Sequence, residues 1–203
     1  MKDGILPRWL RRKGEDPALP VRTDYLAVSS LHGKLLALLR EHMVPEVMAG
    51  PEEIGLCSPR EHGDITLGIY LYDIRENGEI RLNGMQFNDE TSLTYPPLHL
   101  DLYYMITAYS GAELRYREEE NHRILAKAMQ VLHDYPRLHS EQPLHIELID
   151  LTLEQKAAVW NHYSTGYQLS LFYKVSPVRL DSLIRQETTR VQEIHISAGP
   201  RRQ

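Results

Sequence analysis

The sequence predicts an α+β fold, a mixed and mostly antiparallel sheet with helices packed on one face. Three observations carry this. Ile65, Leu67, Ile69 and Leu71 alternate with Thr66, Gly68, Tyr70 and Tyr72, and Leu98–Tyr109 alternates in the same way, the period of strands with one buried face. Ile124, Leu125, Ala128, Val131, Leu132 and Tyr135 recur at three and four, the stripe of an amphipathic helix. The helices and strands also follow one another irregularly, and no Gly-rich turn follows a strand to cradle a phosphate, which argues against a doubly wound sheet.

Composition bounds the rest. The 203 residues, of 23.5 kDa, suffice for one core that hides roughly 70% of the unfolded surface. A hydrophobic fraction of 42% and a charged fraction of 25% are those of a globular chain, which excludes disordered, collagenous and coiled-coil classes. The single cysteine, Cys57, excludes an internal disulfide framework and a thiolate zinc cage. No segment has the ~20 consecutive apolar residues that a bilayer span needs. Met1–Lys13 lacks the apolar centre of a signal peptide, so the expected place of assembly is the cytoplasm.

The elements follow in chain order. Residues 1–22 hold Pro7, Gly14, Pro17 and Pro20 and read as an arm, which Ile5, Leu6, Trp9 and Leu10 could anchor. Thr23 or Asp24 caps a helix that buries Leu31, Leu35, Leu38 and Leu39 and ends at Pro45. Gly50–Gly63, with Pro51, Gly55 and Pro59, reads as an irregular loop or short edge strand. After the first alternating strand, Asn77-Gly78 and Asn83-Gly84 signal turns, because both residue types accept positive φ.

In Leu98–Tyr109, Leu98, Leu100, Leu102, Tyr104 and Ile106 share one face; His99, Asp101, Tyr103 and Thr107 share the other. Glu118, Glu119 and Glu120 suit the positive end of a helix dipole, so a helix of about 18 residues runs to Pro136. Leu144–Ile149 is a short strand, Thr152 opens a helix through Trp160, and Tyr167–Val175 is a strand that Pro177 ends or bulges. Arg190–Ile196 alternates Val191, Glu193 and His195 with Gln192, Ile194 and Ile196, a last edge strand before Gly199-Pro200. The organisation is an arm at 1–22, one α+β domain at 23–185, and an edge strand with tail at 186–203.

Candidate chemistry is sparse. The ten histidines show no His-Glu-x-x-His spacing, and His122 and His133 would stand about 16 Å apart along their helix, too far to share an ion. His99 and Asp101 share a strand face, open to a ligand pair or a base with its orienter, though a solvated or interface-lining face demands the same pattern. Arg60 and His62 beside Cys57 could lower its thiol pKa, but no nucleophile signature surrounds it. No serine sits in a Gly-x-Ser-x-Gly elbow. No residue is therefore assigned a catalytic role, and no cofactor or metal is called for.

Tyrosine is more informative: 12 residues against two Phe, with Tyr70, Tyr72 and Tyr103 in strands. A sheet packed against another subunit uses such large side chains with polar tips. The net charge of −5 is also uneven. Residues 1–22 carry six Lys or Arg against three acids, residues 179–203 five against three, and the middle 12 against 22. Basic ends on an acidic body suit self-association and give no case for nucleic acid.

The run Pro97–Tyr109 (PLHLDLYYMITAY), followed by Glu120–Asp134 (ENHRILAKAMQVLHD), resembles the tail-terminator or cap proteins of phage-tail-like contractile injection systems. So do Glu154–Trp160 and Tyr167–Val178, with the Val-Ser-Pro-Val turn at Val175–Val178. The resemblance as a whole covers roughly residues 23–185. The resemblance implies a tail-terminator-like fold and a structural role, a six-membered ring of this chain on the last layer of inner tube and sheath that ends polymerisation and fixes length. Its expected partners are itself, the inner tube protein and the sheath protein, with no membrane or nucleic acid. An adaptor or baseplate protein of the same particle is the alternative, and a small soluble enzyme a third reading. Closing a heterologous ring requires complementary surfaces. The interface candidates are Trp9, Arg11 and Arg12 in the arm, Tyr70, Tyr72, His99, Asp101 and Tyr103 on the sheet, and Val191, Ile194 and Ile196 in the last strand. Some relatives continue well beyond the shared domain.

Overall fold

A computed structural model describes residues 24–80, 84–87, 92–138 and 144–187. Helix α1 (Ala27–Met43) follows a 3-10 turn at Asp24–Leu26 and leads through a second such turn, Pro51–Glu53, into β1 (Ile54–Leu56). Then come β2 (Leu67–Glu76), β3 (Gln86–Phe87), β4 (Ser92–Thr94), β5 (Leu98–Ala108), α2 (Leu114–Asp134), β6 (Arg137–Leu138), β7 (Leu144–Leu148), α3 (Leu153–His162), β8 (Ser170–Leu180) and β9 (Arg185–Glu187).

Six strands form one sheet in the order β1-β2-β5-β8-β7-β6; β1 runs parallel to β2 and every other pair is antiparallel. The expected mixed, mostly antiparallel α+β sheet is therefore present. Strands β2 and β5 pair from Leu67↔Ala108 to Glu76↔Leu100, and β5 and β8 from Leu98↔Leu180 to Thr107↔Ser170. The alternation of β5 sends Leu100, Leu102, Tyr104 and Ile106 to one face. There they meet Leu31, Leu35, Leu39 and Met43 of α1 and Ile124, Leu125, Ala128, Val131 and Leu132 of α2 in one core. Each such aliphatic side chain, taken out of water, stabilises the fold by roughly 1.5–3 kcal/mol. Arg40 of α1 holds the edge strand by donating from Nη2 to the Ile54 carbonyl at 2.6 Å.

The structure corrects several expectations. Among the described residues no side chain caps α1: Leu26 occupies the cap position, Asp24 belongs to the 3-10 turn that leads the chain in, and Thr23 lies outside the described residues. Helix α2 starts at Leu114, so Glu118–Glu120 lie past its first turn, and Tyr135 falls beyond its end, stacked on His42 at 4.4 Å. Leu98, placed on the buried face by alternation, is 43% exposed because it stands at the rim of the sheet. Nor do the helices keep to one face. Trp160 of α3 packs with Met105 and Phe172, which alternate with the core residues Tyr104, Ile106 and Tyr173 and so lie on the opposite side.

Both long strand pairs are irregular. The β2–β5 register shifts between Leu71 and Asp73, leaving Tyr72 as the extra residue, and the β5–β8 register shifts opposite Ser176 and Pro177. Pro177 thus marks a bulge, where its missing N–H costs no ladder bond. A second sheet, β3-β4-β9, pairs Ser92 with Glu187 and Thr94 with Arg185. The expected strand at 190–196 and the arm at 1–22 lie outside the described residues.

Candidate interaction face

The sheet face away from α1 and α2 gathers five of the candidate residues. Tyr70 pairs across the ladder with Met105, Tyr72 occupies the β2 bulge, and Tyr103, Asp101 and His99 follow at alternate positions of β5. Trp9, Arg11, Arg12, Val191, Ile194 and Ile196 lie outside the described residues.

Helix α3 roofs one half of this face. Thr152 caps it, accepting from the Gln155 amide, while the Gln155 side chain accepts from the Thr152 amide. That box fixes where the helix starts and therefore where Trp160 comes down. Trp160 Nε1 donates to Ser170 Oγ at 3.2 Å, and Ser170 lies 2.8 Å from Thr107 Oγ1, so the buried indole and hydroxyls satisfy one another. Tyr163, just past α3, meets Tyr70 edge to face at 5.3 Å, and burial together with its hydrogen bond to Tyr70 pushes its phenol pKa up.

The other half is open and mixes aromatic with cationic groups. Tyr72 contacts Phe172 and Tyr103, with ring centroids 5.6 and 6.2 Å away. Burial raises the Tyr72 pKa, which Arg75 opposes. The Arg75 guanidinium lies 4.8 Å from the Tyr103 ring centre and pairs with Asp73 at 2.7 Å. Lys174, opposite Tyr103, pairs with Glu147 at 2.9 Å, and that hydrogen bond raises its pKa. Tyrosine rings with flanking charges on a rigid sheet give a surface that another protein's backbone and side chains can match at little entropic cost.

The far end of the face is a polar lock. Asp101 Oδ1 accepts from Asn77 Nδ2 at 2.8 Å and from the Ser176 hydroxyl. Asn77 Oδ1 accepts from the amides of Glu79 and Ile80, closing the turn after β2. One buried amide thus joins β2, β5, β8 and that turn. His99, beside it, is buried with Nδ1 unpartnered among the described residues; burial lowers its pKa, Arg179 lowers it further and Asp181 opposes.

Asp101 therefore does not orient His99, and the base-and-orienter reading of this pair fails on geometry. Among the described residues no group of three or more His, Cys, Asp or Glu could hold a metal ion. Burial raises the Cys57 pKa, contrary to the lowering expected from Arg60 and His62. His62 instead stacks on Tyr109 at 4.1 Å. No helix among the described residues is long and apolar enough to cross a membrane.

Sequence reasoning missed Asn77, Ser176 and Trp160 as builders of this face. Asn77-Gly78 signalled the turn, but nothing local to Asn77 marks a partner 24 residues away.

A family model described as the Pvc16 N-terminal domain matches residues 33–193. Among solved structures, the chain is similar to the sheath/tube terminator of an extracellular contractile injection system, PVC, in its extended state: TM-score 0.67, 17% identity, 85% of this chain and 63% of that one. It is also similar to the tube-terminating cap of the anti-feeding prophage, AFP: TM-score 0.64, 16% identity, 84% of this chain and 61% of that one. The chain thus spans less than two thirds of either structure. No curated protein matches it.

Proposed function

Because this chain belongs to the Pvc16 N-terminal domain family, we propose that it is a cap that terminates the tube and sheath of a contractile injection system. The family match over residues 33–193 carries the reading, and the fold shared with two terminators supports it. A cap works by surface chemistry alone. One side copies the contact that the next tube or sheath layer would make; the other presents nothing on which a further layer can grow. The working unit is a homo-oligomeric ring, a hexamer, at the distal end of the particle, assembled in the cytoplasm.

The open half of the sheet face, with Tyr72, Tyr103 and Arg75, is the described surface best suited to a neighbouring subunit. Tyr70 and His99 support it from within. Tyr103→Ala with Arg75→Ala should weaken co-sedimentation with assembled tube and sheath at least tenfold, a loss of about 1.4 kcal/mol or more, while leaving the thermal transition within a few degrees of the parent. Unchanged co-sedimentation would remove this face from the interface.

A further inference from the structure

The end of the molecule opposite the start of α1 carries two grooves on either side of α2. The first, about 440 Å³, is apolar and lies between α2 and β7, with Met129, Leu132, Ile146, Leu148 and Tyr173 in its walls. The second, about 380 Å³, lies between the C-terminal ends of α1 and α2. Glu41, Glu46 and Asp134 line it; the sole Lys or Arg among the described residues of its wall, Lys127, pairs with Glu46 at 2.6 Å, so this described lining is net negative. Gln130 belongs to both walls and forms the ridge between them.

We propose that the chain's own N-terminal arm straddles this ridge, with Trp9 and Leu10 in the apolar groove and Arg11, Arg12 and Lys13 over the acidic cleft. Order and chemistry match: an apolar pair followed directly by three cations, against an apolar groove adjoining an acidic one. So does spacing. Trp9 to Arg12 spans about 10 Å when extended, close to the ~10–12 Å width of the helix it must cross. Reach suffices too. The 3-10 turn and the 17 residues of α1 cover about 31 Å, whereas the 12 residues from Arg12 to Asp24 extend to about 40 Å. An arm running back along α1 therefore arrives with slack at the ends of α1 and α2. This inference does not depend on the capping role.

Tryptophan fluorescence of the full chain tests it, because Trp160 is 1% exposed and Trp9 is the only other indole. Acrylamide, a neutral quencher, is blind to charge substitutions. Trp9 should be shielded in the parent protein. Glu41→Lys with Asp134→Lys should raise quenching severalfold, Arg11→Glu with Arg12→Glu should do the same, and the four substitutions together should restore shielding. Leu148→Asp, at a half-exposed site, should unshield Trp9 whatever the charges. Quenching as strong in the parent as in these variants would overturn the proposal, as would failure of the combined reversal to restore shielding. Shielding that vanishes on dilution while the solution mass falls would assign the grooves to a second copy's arm and overturn the docking of the chain's own.

Discussion

Asn77 holds more of the molecule together than its size suggests. Its amide donates to Asp101 and to Ser176, and its carbonyl accepts from two backbone amides of the turn that follows. Asn77→Ala leaves a carboxylate and two amides short of partners, so urea unfolding should show a loss of about 1–3 kcal/mol. Gly68 is limited by space: a Cβ there would stand 2.5 Å from Cys57 Sγ and 2.8 Å from a Tyr109 ring carbon. Gly68→Ala should cost a similar amount, and Cys57→Ala should recover part of it by removing one of the two clashes. Two histidines make the fold sensitive to acid. His32 and His99 are both held below the ordinary value of 6.5, chiefly by burial. The unfolded chain therefore binds more protons, and stability present above pH 6.5 is lost as pH falls through the lower folded values. Unfolding free energy should decline below that pH, and His32→Gln with His99→Gln should flatten the decline; an unchanged slope would place the acid sensitivity elsewhere.

Among the elements, legibility followed length and burial. Strand β5 and helix α2 were readable because each is long and faces one core, so its period is set by the element itself. The β3-β4-β9 sheet was not: its strands are two or three residues long, too short to show a period, and β9 pairs with a strand some 90 residues earlier. The extent of α3 was legible from Thr152, but not the face it covers, since a strand's alternation marks two faces without saying which helix lies on which. The capping box makes this element testable. Thr152→Ala should cost about 1 kcal/mol, and Trp160→Ala about 3–5 kcal/mol through the cavity between α3, Met105 and Phe172. Denaturant midpoints compare the two, and equal losses would mean that α3 is held by its cap and not by its indole.

At the scale of the whole molecule, His99 and Asp101 show what a sequence can and cannot say about a site. Period two put them on one face, and the structure agrees; that Asp101 would spend its hydrogen bonds on Asn77 and Ser176 depended on contacts across 24 and 75 residues. In the sequence the proposed capping role rests only on the resemblance of residues 97–134 and 154–178, because a surface that ends a polymer needs no motif of its own. The measurement that tests this role most directly is the length distribution of tube-and-sheath particles by electron microscopy, assembled with and without the chain. With it, lengths should be narrow and shorter, with a ring of this chain at one end of each particle. Unchanged lengths, or ends bare of the chain, would contradict the capping role.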